Sequence, residues 1–289
     1  MIKPHRGPFL PGDQVQLTDE KGRKHRLVLE AGRAFHTHRG SVAHDDLIGQ
    51  PEGSVVKASG GTQYIALRPL LADYTVSMAR GATVVYPKDA AQIIAMADIF
   101  PGARVIEAGA GSGALTCWLL RAIGESGTLV SYERRTDFAG IARRNVESYF
   151  CGPHPAWELV ADDLPGGQAG GLRDFDRVVL DMLSPWEQVE GAASWLAPGG
   201  LLCCYVATTT QLSRVVEYLR AHGGFDEPAA SETLVRGWHV EGLAVRPEHR
   251  MVGHTGFIVT ARRLAPGVIA PPRRRRPAKG AQEPESAGS

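Results

Sequence analysis

Between Val105 and Leu115 the chain reads Val-Ile-Glu-Ala-Gly-Ala-Gly-Ser-Gly-Ala-Leu, and this stretch restricts the possible folds more than any other. Arg104 to Glu107 predicts a short strand, glycines alternate at 109, 111 and 113, and the apolar run from Ala114 to Ile123 predicts a helix. Glycines at a strand-to-helix turn let the backbone approach a bound group closely, and the helix start presents free N–H groups. Twenty residues beyond Gly113, Glu133 ends the next predicted strand, where a carboxylate accepts both hydroxyls of a ribose. A tight turn with an incidental acid would explain the glycines alone. It does not explain glycines and acid at the ends of two successive strands. The spacing Gly109-x-Gly111-x-x-Ala114 also satisfies the dinucleotide fingerprint, so a nicotinamide enzyme is one reading. Against it, Glu107 precedes the turn, where it would oppose a pyrophosphate and suits a cationic amino-acid moiety instead.

The remaining sequence supplies the setting. Residues 8 to about 75 read as short strands paired around turns: Val15 and Leu17, Leu27 to Leu29, Ser54 to Lys57, and Tyr64 to Leu67. From Tyr86 onward helices alternate with strands. Predicted helices cover Asp89 to Phe100, Thr136 to Tyr149, Glu187 to Leu196 and Gln211 to Ala221. Predicted strands cover Thr128 to Glu133, Trp157 to Val160, Arg177 to Asp181 and Leu201 to Val206. Such alternation implies a parallel sheet with right-handed crossovers. Two last strands, Trp238 to Arg246 and Thr255 to Arg262, have no helix between them and are expected to close the sheet as an antiparallel hairpin. The expected fold class is α/β, a Rossmann-like and mostly parallel sheet in a catalytic domain over 76–265. A small β-rich domain over 1–75 precedes it, and a disordered basic tail over 266–289 follows.

Composition excludes several classes. With 43% hydrophobic residues the 289-residue chain has the apolar surface for a core. Its longest apolar run, Leu201 to Ala207, is too short to span a bilayer, and no hydrophobic stretch follows Met1, so a soluble protein without an export signal is expected. The cysteines at 117, 151, 203 and 204 form no C-x-x-C pair, which fits a reducing cytoplasm better than a disulfide framework or a zinc site. Net charge is +1, but the tail carries Arg273 to Arg276 and Lys279 against Glu283 and Glu285, a net of +3, leaving the body at −2. The tail reads either as a solubilising segment or as a non-specific polyanion tether.

A second constellation, Asp181-Met-Leu-Ser184-Pro185-Trp186, ends the predicted strand from Arg177. Carboxyl ends of parallel strands form the ligand crevice of such sheets, so Asp181 is expected beside the site. As a plain helix cap with a core tryptophan the motif would mean little. Following this glycine turn, it resembles the (D/N)-P-P-(aromatic) motif of nitrogen-directed nucleic-acid methyltransferases, with Ser184 in place of the first proline. Glu107, the glycines and the antiparallel end resemble class I S-adenosylmethionine-dependent methyltransferases. Phe35-His-Thr-His-Arg-Gly40, Tyr86-Pro-Lys-Asp89, Glu107 to Leu115 and Asp181 to Trp186 stand in order. Together they resemble the tRNA (adenine-58, N1) methyltransferases, especially the actinobacterial members, over residues 8 to 265.

That resemblance implies methyl transfer from S-adenosyl-L-methionine to N1 of an adenosine in the tRNA T-loop, in a cytoplasmic homotetramer without a metal. It implies a donor pocket of Gln92, Glu107, Gly109, Gly111, Ser112, Gly113, Ala114, Leu115, Glu133 and Asp163, with Asp162 as the alternative to Asp163 at the adenine. Phe138 stands where relatives carry a polar residue and implies only a packing contact. Asp181 and Tyr86 would flank the target base, with Tyr86 or Trp186 stacking on it. His36, His38 and His44 have a spacing that metals use, but contacts to RNA phosphate or a neighbouring subunit are expected there. Two other readings stay open on the sequence: a dehydrogenase, and a catalytically silent RNA-binding scaffold.

Overall fold

A computed structural model describes residues 6–81, 83–165 and 171–271. The basic tail from Arg273 lies outside the described residues. The amino-terminal part is a four-stranded antiparallel sheet in the order β2-β1-β6-β5, from β1 (Gln14–Asp19), β2 (Lys24–Val28), β5 (Val55–Lys57) and β6 (Gln63–Leu67). A separate hairpin, β3 (Ala34–Thr37) with β4 (Gly40–Ala43), lies between them. Alternation decides the faces: Val15, Leu17, Val56, Tyr64 and Ala66 point into a small core with Phe9, Leu29 and Leu47. The β1–β2 turn is tied by Asp19, whose carboxylate accepts from the Lys21 and Arg23 amides at 2.9 Å each.

Helix α1 (Leu71–Ser77), which the sequence reading leaves unassigned, joins the two parts. The expected boundary at 75 falls inside it, and Leu71 and Tyr74 already belong to the core of the larger unit. Lys24 pairs with Asp73 at 2.7 Å, the Arg26 guanidinium stacks 4.7 Å from the Tyr74 ring centre, and Gln14 Nε2 donates to Ser148 Oγ at 2.7 Å. The small sheet is thereby fixed against the larger unit through polar contacts at its outer face.

The larger unit is a seven-stranded sheet in the order β12-β15-β11-β10-β7-β8-β9. Its members are β7 (Arg104–Ala108), β8 (Thr128–Tyr132), β9 (Trp157–Val160), β10 (Phe175–Asp181), β11 (Leu196–Val206), β12 (Ala229–Glu232) and β15 (Phe257–Arg262). The pairs β7–β8, β8–β9, β10–β7 and β10–β11 are parallel, and β15 runs antiparallel to both β11 and β12. Helices α2 (Pro87–Met96), α3 (Ala114–Ile123) and α4 (Thr136–Phe150) cover one face with α1, while α5 (Val189–Trp195) and α6 (Thr209–His222) cover the other. Successive strand residues divide between the two layers: Val105, Val179 and Cys203 pack on one side, Ile106, Val178 and Cys204 on the other. The adjacent Cys203 and Cys204 are thus both core residues, as expected for a strand buried on both faces. Among the described residues no helix is long and apolar enough to cross a membrane.

The antiparallel end differs from the expected hairpin. The partner of β15 is β12, and residues 238–247 form their own hairpin, β13 (Trp238–Glu241) with β14 (Ala244–Pro247), inserted between β12 and β15. Strand β12 escapes a hydropathy reading because all four residues, Ala-Ala-Ser-Glu, are exposed at the sheet edge. Helix α6 shows complete local signals: Thr208 Oγ1 accepts from the Gln211 amide, the Gln211 side chain accepts from the Thr208 amide, and Gly223 ends the helix at φ 70°. Thr208→Ala is expected to lower stability by about 1 kcal/mol, as urea unfolding at constant m-value would measure.

Candidate active site

The site forms where β10, β7, β8 and β9 end side by side. Register aligns Leu180 with Ala108, Ala108 with Tyr132, and Tyr132 with Val160, so Asp181, the glycine turn, Glu133 and Asp163 follow adjacent strand ends. The glycine turn is obligatory in places. Gly109 has φ 82°, and a Cβ there would lie 1.9 Å from the Asp181 carbonyl oxygen. Gly113 caps α3 at φ 81°, and a Cβ would meet the backbone of Ala142 at 3.1 Å. The turn is held from outside by Asn145, whose amide donates to the carbonyls of Ser112 and Ala79 at 2.8 Å each, and Ser112 Oγ accepts from the Gly81 amide. Ala114 and Leu115 are buried in the first turn of α3.

Three carboxylates surround this turn, and each has a different environment. Glu107, fully buried at the end of β7, accepts through Oε2 from Thr116 Oγ1 at 2.8 Å and Ser131 Oγ at 2.6 Å. Its Oε1 is buried and accepts no hydrogen bond. Burial pushes the Glu107 carboxyl up to about 7 despite the Ser131 and Thr116 donors, and the Glu133 charge adds to the rise. Asp181, half-buried as the last residue of β10, is likewise pushed up to about 7 by desolvation and by the charges of Glu107 and Glu133. At Glu133 burial acts upward but is outweighed. Donors from Arg135 and from the Gly111 amide, the latter at 2.9 Å, hold this carboxyl below its ordinary range. The Arg135 guanidinium covers Glu133 while lying 3.7 Å from the Phe138 ring centre. Phe138 in turn packs on Gly81, where a Cβ would come within 2.3 Å of its ring.

A buried carboxylate oxygen without a donor, beside two more carboxylates and a glycine turn, fits a cationic, ribose-bearing group. It does not fit a pyrophosphate, which three acids would repel, and this disfavours the dehydrogenase reading. The donors that hold Glu107, namely Thr116 and Ser131, and the Arg135 cover on Glu133 are not signalled by any spacing in the sequence.

Other expected site residues are placed less centrally. Tyr86 is half-buried at the start of α2 and Gln92 is half-buried within it. Asp163 and Asp162 are both exposed, with the Asp163 amide donating to Asp162 Oδ1. Trp186 is corrected: it packs in the core under α6, 7% exposed, with the Arg214 guanidinium 4.2 Å from its ring centre, so it does not present a face to a base. The three histidines do not converge. His36 and His38 are exposed on the hairpin, whereas His44 is buried and its Nδ1 accepts from the Glu30 amide. Because Glu107 titrates above its unfolded range, the folded chain holds a proton there that the unfolded chain releases. Its contribution to stability is present below the ordinary carboxylate range and is lost as pH rises through about 7. In the protein alone, Glu107→Gln should therefore gain in Tm relative to the wild type between pH 5 and pH 8, as paired thermal melts would read.

Comparison with known proteins agrees with this geometry. Residues 7–56 match the family described as TrmI-like N-terminal, and residues 64–244 match the tRNA methyltransferase complex GCD14 subunit family. The tRNA (adenine(58)-N(1))-methyltransferase TrmI of Thermus thermophilus is 38% identical over 261 residues, 89% of this chain and 97% of that protein. The tRNA (adenine(57)-N(1)/adenine(58)-N(1))-methyltransferase TrmI of Methanocaldococcus jannaschii is 32% identical, covering 85% of this chain and 93% of its own. A SAM-dependent O-methyltransferase of Thermotoga maritima superposes with a TM-score of 0.83 at 30% identity, covering 93% and 96% of the two chains. The tRNA (m1A58) methyltransferase TrmI of Aquifex aeolicus shares the fold, with a TM-score of 0.76 at 24% identity over 90% of this chain and 100% of its own. With both halves matched and these relatives spanned nearly end to end, the chain belongs to the tRNA (adenine-58, N1) methyltransferase family of TrmI and GCD14.

Proposed function

We infer that this protein transfers a methyl group from S-adenosylmethionine to N1 of adenosine 58 in the T-loop of tRNA. The observation that carries the reading is the alignment of Glu107, Glu133 and Asp181 around the glycine turn at one sheet edge, in a chain of this family. The donor supplies an electrophilic methyl on a sulfonium centre. The unpaired Glu107 oxygen receives the ammonium of the amino-acid moiety beside the turn of Gly109 to Gly113. Glu133 takes the ribose hydroxyls once the Arg135 guanidinium, half-exposed and packed on Phe138, gives up its ion pair with Glu133. Leu115, Gln92 and Asp163 line the rest of the donor pocket, with Asp163 at the adenine.

Asp181 performs the chemistry that the chain itself contributes. Its carboxylate accepts from the N6 amino group of the target adenine, which orients the N1 lone pair and offsets the positive charge that develops on the base. Tyr86 stacks on that base; Trp186, being core, does not. Since N1 lies on the pairing edge, the adenosine must leave the tRNA tertiary structure to enter the recess. The intact glycine turn and acids disfavour a silent scaffold. Asp181→Ala is expected to bind donor normally and to lose about a hundredfold or more in turnover. A labelled-methyl assay on unmodified tRNA, with modified bases mapped, checks this; label absent from adenosine 58 in the wild-type reaction would sink the reading.

The reading extends to a homotetramer acting in the cytoplasm. All four cysteines are free thiols, which suits a reducing compartment. In the β13–β14 hairpin, register places Trp238, Val240, Val245 and Pro247 on one face and His239, Glu241, Ala244 and Arg246 on the other. Trp238, Val240 and Val245 are 58%, 69% and 57% exposed, an apolar face with no cover among the described residues. A second copy supplies that cover in the proposed assembly. The double variant Trp238→Ser with Val240→Thr should therefore shift the mass in solution to a smaller species by light scattering; an unchanged mass would remove the hairpin from the interface.

A further inference from the structure

Two residues of the Tyr86-Pro-Lys-Asp89 segment take no part in the reaction just described, yet they are among the most buried charges of the molecule. The Lys88 side chain keeps 9% of its exposure and that of Asp89 1%. Asp89 accepts through one oxygen from Lys88 Nζ at 2.7 Å, and through the other from the hydroxyls of Tyr205, at 3.1 Å, and Thr255. Lys88 Nζ also donates to the Thr233 carbonyl at 2.8 Å and to Thr255 Oγ1. Thr233 directly follows β12 and Thr255 stands two residues before β15, so both ends of the segment bearing the β13–β14 hairpin meet on this one ion pair.

The same node reaches both residues assigned to the target base. The Tyr86 carbonyl accepts from the Asp89 and Ala90 amides at 2.9 Å each, so Tyr86 is carried on the turn that holds the pair. Tyr205 is the neighbour of Asp181 across the β10–β11 register. Its ring closes over Gly256, where a Cβ would come within 2.4 Å of it. A buried ion pair adds little net stability, because desolvating two charges offsets their attraction. What it does fix, when fully hydrogen-bonded, is a unique arrangement of the elements it joins.

We propose that Lys88 and Asp89 are positioning residues for methyl transfer, clamping both ends of the 233–255 segment to the turn of Tyr86 and thereby setting Tyr86 against Asp181. The proposal rests on the assignment of those two residues to the target base. The test uses the full chain with two variants: the charge-neutral pair Lys88→Met with Asp89→Asn, which leaves no unpaired ion, and Lys88→Arg, which keeps the charge. Thermal unfolding, S-adenosylmethionine affinity by calorimetry, and kcat and KM on unmodified tRNA are measured for each. The neutral pair is expected to fold, to bind S-adenosylmethionine within about twofold of the wild type, and to lose about tenfold to a hundredfold in kcat. Lys88→Arg should recover most of that loss. Should the neutral pair not fold, Thr255→Val, which removes a hydroxyl and no charge, must give the same split between kcat and donor affinity. Wild-type kcat in a folded variant overturns the proposal, and so does a loss of donor affinity as large as the loss of kcat. Asp181→Ala run alongside separates the two ideas. Full turnover by that variant would take the base assignment down, and this proposal with it. An inactive Asp181→Ala beside a fully active neutral pair would remove the positioning role alone.

Discussion

The contact between the Gly109 backbone and the Asp181 carbonyl is the constraint on which the site depends. With 1.9 Å between that oxygen and the place a Cβ would occupy, β7 and β10 can pair up to their ends only if residue 109 has no side chain. That pairing brings Glu107 and Asp181 to neighbouring strand ends, and the next strand adds Glu133. The sheet therefore concentrates three acids at one edge, against their mutual repulsion. Burial first, and the neighbouring charges second, raise the proton affinity of Glu107 and Asp181, while Arg135 covers Glu133.

Position is legible in the sequence where a short segment ends a strand. The glycine turn with Glu107, the acid at 133 and the acid at 181 each sit at the end of a strand whose hydropathy is unambiguous, and parallel pairing then brings the strand ends together. It is not legible where partners are far apart in the chain. Thr116 and Ser131 come from two different elements to hold Glu107, and Lys88 meets Thr233 and Thr255 some 145 and 167 positions away. Strand β12 has no apolar alternation to reveal it, and α1 is too short for its period to stand out. Trp186 shows a third kind of failure. A motif likeness suggested a base contact, whereas the turn at Pro185 directs the indole into the core against Arg214.

Net charge takes on a different meaning beside the geometry. A body carrying −2 with three acids in its recess would repel a polyanion if those acids faced outward. They do not. Glu107 and Glu133 are 0% and 3% exposed, and only Asp181 is half-open. Arg134 and Arg135 precede α4 and Arg143 and Arg144 lie along it, all four exposed. Two of the three acids at the turn are thus recessed, while Asp162 and Asp163 and the arginines of α4 remain at the surface. Asp181, half-open between the two, stands where the proposed reading puts the target base.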